Sequence, residues 1–170
     1  IVAVPNDARR TPGPPPRTPP DLDEVDHILL SELARDGRQT NVALAAAAGI
    51  AESTCIARVR SLRERGVITG FHADVDLVQI GLPVQAMVSV RFSGLLRTEV
   101  DRFGSEVADL PQVLATYNIA GPDDYLVHLA AASPQALRDF VLDNITGRPG
   151  VVHTETTFVF QSLPGSRPLG

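Results

Sequence analysis

The sequence predicts an α+β protein, with an N-terminal winged helix-turn-helix followed by a ferredoxin-like βαββαβ domain. Three observations predict it. From Leu44 to Phe71, LAAAAGIAESTCIARVRSLRERGVITGF reads as a short helix, a glycine turn, a second helix, a glycine stop and a β-rich segment. From Val84 to Phe92 apolar and polar residues alternate, which is the period of a strand with one buried face. From there to Leu163 the patterns follow in the order β-α-β-β-α-β. A length of 170 residues, 44% of them hydrophobic, is enough for two small cores. The boundaries read as an arm over 1–20, a helix-turn-helix domain over 21–75, a hinge over 76–83, the second domain over 84–163 and a tail over 164–170.

The arm holds seven prolines and little apolar bulk, a composition that favours disorder or polyproline geometry. Asp21 is expected to cap the first helix, with Glu24 reaching back as in a capping box. Leu22, Val25, Ile28, Leu29 and Leu33 then recur at helical spacing, and Gly37 ends the run. Thr40 caps a short helix through Ala48, whose alanines permit close packing, and Gly49 supplies the turn. The third helix spans Glu52 to Arg65. At about 100° per residue, Cys55, Ile56, Val59 and Leu62 share an inner face. Ser53, Ala57, Arg60, Ser61 and Glu64 lie opposite, with Thr54 and Arg58 beside them. Val67–Val75 reads as strand or wing, with Gly70 permitting a bend.

In the second domain Val84–Phe92 is a strand. Val100, Phe103, Val107 and Leu110 mark a helix capped by Thr98 and stopped by Pro111. Val113–Ala120 and Tyr125–Ala131 are strands joined by the Gly121–Asp124 turn. Ser133 caps the next helix, with Pro134 in the favoured first position. Leu137, Phe140, Val141 and Ile145 form its buried face, and Val151–Leu163 is the last strand. Such a sheet carries helices on one face. Leu126 and Ala130 make its other face partly apolar, so a second copy of the chain is expected against it.

Net charge is −5, so a generic polycation is excluded, and all 15 basic residues are arginine. Four of those arginines fall within Glu52–Arg65, against two glutamates. Phosphate contact needs such local positive charge rather than a basic whole. Hydroxyls and arginine on an outward helix face suit phosphates and base edges, and Ala57 suits a thymine methyl. No apolar run reaches membrane-span length, no signal peptide is recognisable, and Cys55 is the only cysteine. The expectation is therefore a cytoplasmic protein.

LDEVDHILLSEL with Asp36-Gly37-Arg38, STCIARVRSLRERGVITGF, GPDDYL and RPGVVHTETTFVF together resemble the Lrp/AsnC family of transcription regulators, over about Leu22 to Leu163. The resemblance implies a regulator of amino-acid-related metabolism that binds promoter or operator DNA. Ser53, Thr54, Ala57, Arg58, Arg60, Ser61 and Arg38 are its candidate DNA contacts. It also implies a second domain of the RAM type (regulation of amino-acid metabolism). RAM sheets pair into homodimers, which assemble to tetramers or octamers, and a small effector, usually an amino acid, binds between dimers. The matching positions are Gly121, Asp123 and Asp124 in the loop and Thr154 and Thr156 on the last strand. An acid suits the effector's ammonium, while loop N–H groups and threonine hydroxyls suit its carboxylate. No cofactor, metal or catalytic residue is expected. One departure stands at Ala51, where the family commonly has serine; a missing N-cap hydroxyl costs about 1 kcal/mol.

Two other classes fit the sequence less well. An enzyme is disfavoured because Cys55 falls on an inner helix face and His27, His72, His128 and His153 are scattered. A stand-alone small-molecule-binding or interaction protein has no use for the four-arginine helix.

Overall fold

The structure, a computed structural model, describes residues 21–94 and 97–163. The proline-rich arm and the tail lie outside the described residues. The chain divides between Ala73 and Asp74 into two units, each with its own core.

The first unit is three helices, α1 (Glu24–Arg35), α2 (Asn41–Ala48) and α3 (Glu52–Glu64). Asp23, not Asp21, caps α1, accepting the Asp26 N–H at 2.9 Å. Glu24 is thus the first helical residue and cannot close a capping box. The carbonyl of Asp21 instead receives Arg65 at 2.7 Å. Thr40 caps α2 as expected. Leu29, Leu44, Ala45 and Cys55 form the core, with Val25, Leu33, Ala48, Ile50 and Val59 packed around it. The segment after α3 leaves through a glycine-capped end. Gly66 adopts φ 72°, and the Val67 N–H returns to the Leu62 carbonyl at 2.9 Å. The strand expected over Val67–Val75 does not form: that wing is loop throughout. Phe71 spends its ring on the α1 end instead, lying 3.1 Å from where a Cβ on Gly37 would sit.

The second unit holds β1 (Val84–Phe92), α4 (Arg97–Ala108), β2 (Val113–Asn118), β3 (Tyr125–Ala131), α5 (Pro134–Val141) and β4 (Val151–Val159). A π-helical turn, Leu142–Thr146, extends α5. The sheet order is β2-β3-β1-β4 with every neighbour antiparallel, the expected βαββαβ arrangement. Ala86, Val88 and Val90 of β1 and Val127 and Leu129 of β3 are buried beneath Phe103, Val107, Leu137, Phe140, Val141 and Ile145. Three boundaries move. Thr98 lies inside α4 rather than capping it. Strand β2 ends at Asn118, because the Ile119 N–H turns to the Asp124 carbonyl at 3.0 Å. Strand β4 ends at Val159 rather than Leu163, where its pairing with Gln85 runs out.

Gly104 answers to a close approach. A Cβ there would stand 2.6 Å from the Tyr125 hydroxyl, inside the ring cluster of Phe92, Phe103 and Tyr125. On the opposite sheet face the register places Met87 and Ser89 of β1, Leu126 and His128 of β3 and half-exposed Tyr117 of β2. His128 shares a 3.0 Å hydrogen bond with Gln85 there, and its burial pushes its pKa below the ordinary histidine value.

Candidate functional site

Helix α3 is set by the turn before it. Gly49 takes φ 65°, and its N–H and that of Ile50 close onto the Ala46 and Ala45 carbonyls at 3.3 and 3.0 Å. This double closure ends α2 without spending side chains. Helices α2 and α3 then meet at 98°, within the range of helix-turn-helix pairs. Ala51 occupies the N-cap with extended geometry and no side-chain bond, as the sequence implied.

Cys55, Val59 and Leu62 turn to the core, and Cys55 and Leu62 are wholly buried. Burial pushes the Cys55 thiol up, consistent with packing rather than reactivity. Ile56, expected inside, is 46% exposed. It lies about 100° round the helix from Cys55, beyond the reach of α1 and α2. Ser53, Thr54, Ala57 and Arg60 are exposed, as expected of groove-facing residues, while Ser61 is half-buried.

The four arginines divide by function. Arg58 donates to Asp23 at 2.7 Å and to buried Asp26 at 2.9 Å. Arg65 bonds the Asp21 carbonyl and lies 3.9 Å from Asp26. These two brace α3 against the start of α1. The Asp26 bond, then the Asp23 bond, holds the Arg58 guanidinium above its usual pKa. The Asp26 N–H, then Arg58, holds the Asp23 carboxyl below its own. Arg58, a candidate DNA contact by sequence, is thus tied to the start of α1 by two ion pairs. Arg60 pairs with Glu64 at 2.7 Å on the open surface. Arg63, which sequence reasoning left out, is exposed and shares a cleft with Arg60, Ile68 and Thr69. Arg38 is exposed, its N–H donating to Asp36 at 2.9 Å.

In the second unit the candidate effector residues fall into two groups. Asp124 pins the β2–β3 loop through one carboxylate oxygen and its backbone. Its carboxylate accepts the Phe92 N–H at 2.8 Å, its N–H donates to Val90 at 2.9 Å, and its carbonyl accepts from Ile119 and Asn118. Asp123 is different. Its Oδ1 is buried without a hydrogen bond; Arg91 Nε stands 3.4 Å away, near enough for ion pairing but not in hydrogen-bond geometry. Gly121 meets nothing within 4 Å of an added Cβ, so packing does not demand a glycine there.

Thr154 and Thr156 lie on the edge strand β4, opposite Val90 and Val88, and so share the helix side of the sheet. They line a groove of about 500 Å³ between β4 and α5, walled by Leu137, Val141, Leu142 and Phe158. Thr146 and Thr154 hydroxyls meet at 3.2 Å. The loop and the threonines flank β1 from opposite sides, so within one chain the five candidates do not close around one cavity. The groove itself was not legible in the sequence, because it depends on how far α5 stands from an edge strand.

Comparison with known proteins matches both units. Residues 85–169 match the Lrp/AsnC ligand binding domain, and residues 22–69 match a winged helix-turn-helix DNA-binding domain. The chain is 43% identical over 151 residues to the HTH-type transcriptional regulator AldR of Mycobacterium tuberculosis, covering 89% of this chain and 84% of that protein. It is similar to the crystal structure of that AldR with a TM-score of 0.77 at 41% identity, over 89% of this chain and 100% of the other. It is also similar to a transcriptional regulator from Neisseria meningitidis solved in complex with L-Met, with a TM-score of 0.79 at 27% identity, over 85% and 94% of the two chains.

Proposed function

The chain belongs to the Lrp/AsnC family of transcriptional regulators, and on that premise we propose that it is a cytoplasmic, sequence-specific regulator of amino-acid-related metabolism. It is a regulator with a helix-turn-helix and a ligand-binding domain, not an enzyme, as its relatives are. The finer reading is that an amino-acid effector binds between RAM-type dimers and biases their assembly, tetramer or octamer, toward one spacing of the DNA-reading helices. An effector shifts such an equilibrium only by its differential affinity for the two assemblies.

One observation carries the DNA reading. Helix α3 packs its inner face on the core and presents Ser53, Ala57 and Arg60 outward as one exposed stripe, bordered by Thr54, Ile56 and Arg63. Hydroxyls and arginines suit phosphates and base edges, and Ile56 and Ala57 suit thymine methyls. Arg38, exposed between α1 and α2, and Ser61 are further phosphate contacts in this reading. For the effector, Asp123 supplies the anion, since its Oδ1 has no hydrogen bond while Asp124 holds the loop. Thr154, Thr156 and the N–H groups around Gly121 supply donors, with a second copy closing the distance. A neighbour that holds L-Met supports an amino-acid ligand for this fold.

The test is a salt series of operator binding. Arg60→Ala and Arg63→Ala should each weaken affinity and lower the slope of log K against log salt by about 1. Unchanged slopes for both would remove α3 from the interface.

A further inference from the structure

Ile56 is the residue of α3 that packing does not explain. Among the described residues of that helix it alone is a large apolar side chain left exposed. It belongs neither to the buried cluster of the first unit nor to the apolar residues packed around that cluster. A single exposed isoleucine is common on protein surfaces and by itself calls for no partner. Its place on the helix supplies one. Ile56 lies in the N-terminal half of α3, the part of a recognition helix that meets base edges. Helical spacing sets it on one ridge with Arg60 and Arg63, four and seven residues further on, and beside exposed Ser53, three residues before. It is therefore continuous with the face that carries the DNA reading.

Charge is unevenly placed along that face. Arg60 and Arg63 stand in the C-terminal half of α3, where they suit phosphates. The N-terminal half exposes Glu52, Ser53, Thr54, Ile56 and Ala57, and its one arginine, Arg58, is held by Asp23 and Asp26. The half that meets bases thus has no open guanidinium for guanine, which is the commonest specific contact. It offers hydroxyls, a carboxylate and apolar surface. In the major groove every base edge is polar except for one group, the C5-methyl of thymine. An isoleucine entering the groove gains by covering that methyl and loses by displacing water from polar edges. Branching at Cβ nearly fixes its χ1 in a helix, so little rotamer freedom is lost on contact.

We propose that Ile56 is a specificity-determining residue of the DNA interface and that it reads the 5-methyl group of a thymine. Affinity for the phosphate backbone then comes from Arg60 and Arg63, and selection of a thymine-bearing site comes from Ile56, so the two are separable by mutation. The inference rests on the DNA reading above and narrows it from a helix face to one side chain and one chemical group.

Gel-shift titration of the full chain against its own promoter fragment, copied once with thymine and once with uracil, reads this directly. Uracil lacks only the methyl and keeps the O4 acceptor in the groove. Wild type should bind the thymine fragment about fourfold more tightly for each methyl it covers. Ile56→Ala and Ile56→Gln should each bring the two affinities to within about twofold of one another. Both variants should melt as wild type does by circular dichroism, since Ile56 lies outside the core. Arg63→Ala should weaken binding to both fragments equally and keep the preference. If wild type binds the two fragments alike, or if both Ile56 variants keep the full preference, the inference is overturned while the DNA reading stands. A marked fall in melting temperature for both variants would place Ile56 in the core and overturn it as well. No binding of either fragment by wild type at low salt would overturn the DNA reading itself.

Discussion

At the scale of residues, identity and role part company where a side chain's partner is distant in sequence. Arg58 and Arg60 sit two apart on one helix, yet Arg58 is tied to Asp23 and Asp26 while Arg60 lies on the open surface. Helical spacing shows which way Arg58 leaves α3, but not that the start of α1, more than thirty residues earlier, meets it there. Arg58→Ala should therefore lower the melting temperature of the first unit, and Arg60→Ala should not, when the two are compared by circular dichroism. Equal melting would remove the brace. The Asp23 carboxyl is held below its usual pKa, so its contribution is present above the ordinary aspartate range and is lost as pH falls through it. Acidification through the aspartate range should cost wild type more unfolding free energy than Asp23→Asn, which lacks this linkage and is the less stable of the two at neutral pH. At Ala51, extended backbone without a capping side chain leaves room for improvement. Ala51→Ser should raise stability by about 1 kcal/mol in urea unfolding, through a bond to the first-turn N–H groups.

At the scale of elements, periodicity carried most of the fold. The alternation of β1 and β3, the stripes of α4 and α5, the Thr40 and Ser133 caps and the Gly49 turn all follow from local pattern, and each is where that pattern places it. What local pattern did not show is set by neighbours. Ile56 reads as core by hydrophobicity, but only α1 and α2 decide how wide the covered face of α3 is. The wing reads as strand by composition, but it lacks a partner strand and remains loop. Gly104 carries no sequence signal, because its need arises from the Tyr125 ring of β3 pressing on α4. Gly104→Ala should destabilise the second unit by about 1–3 kcal/mol through overpacking, measured by the urea midpoint. The candidate site was legible in part. Thr154 and Thr156 do share a groove, but that Asp124 is a loop pin and Asp123 the unbonded acid required the hydrogen bonds themselves.

At the scale of the whole molecule, the second unit shows helices on one sheet face and His128, Leu126 and Met87 on the other. In the proposed dimer this face is covered by a second copy. The His128 pKa is lowered by burial, so stability from its neutral form is full above the ordinary histidine value and declines as pH falls through and below it. His153 and Glu155 occupy the same face on β4, across β1 from it. Dimer dissociation, followed by analytical ultracentrifugation, should be favoured at pH 5.5 over pH 7.5, and His128→Gln should flatten that dependence. The central claim joins the two units: an exposed α3 reads operator DNA, and a ligand of the second unit changes how well it does so. Fluorescence anisotropy of this protein with DNA from its own promoter, repeated with each amino acid, tests it most directly. Saturable binding that one or a few amino acids shift is the predicted result. No binding even at low salt would contradict it.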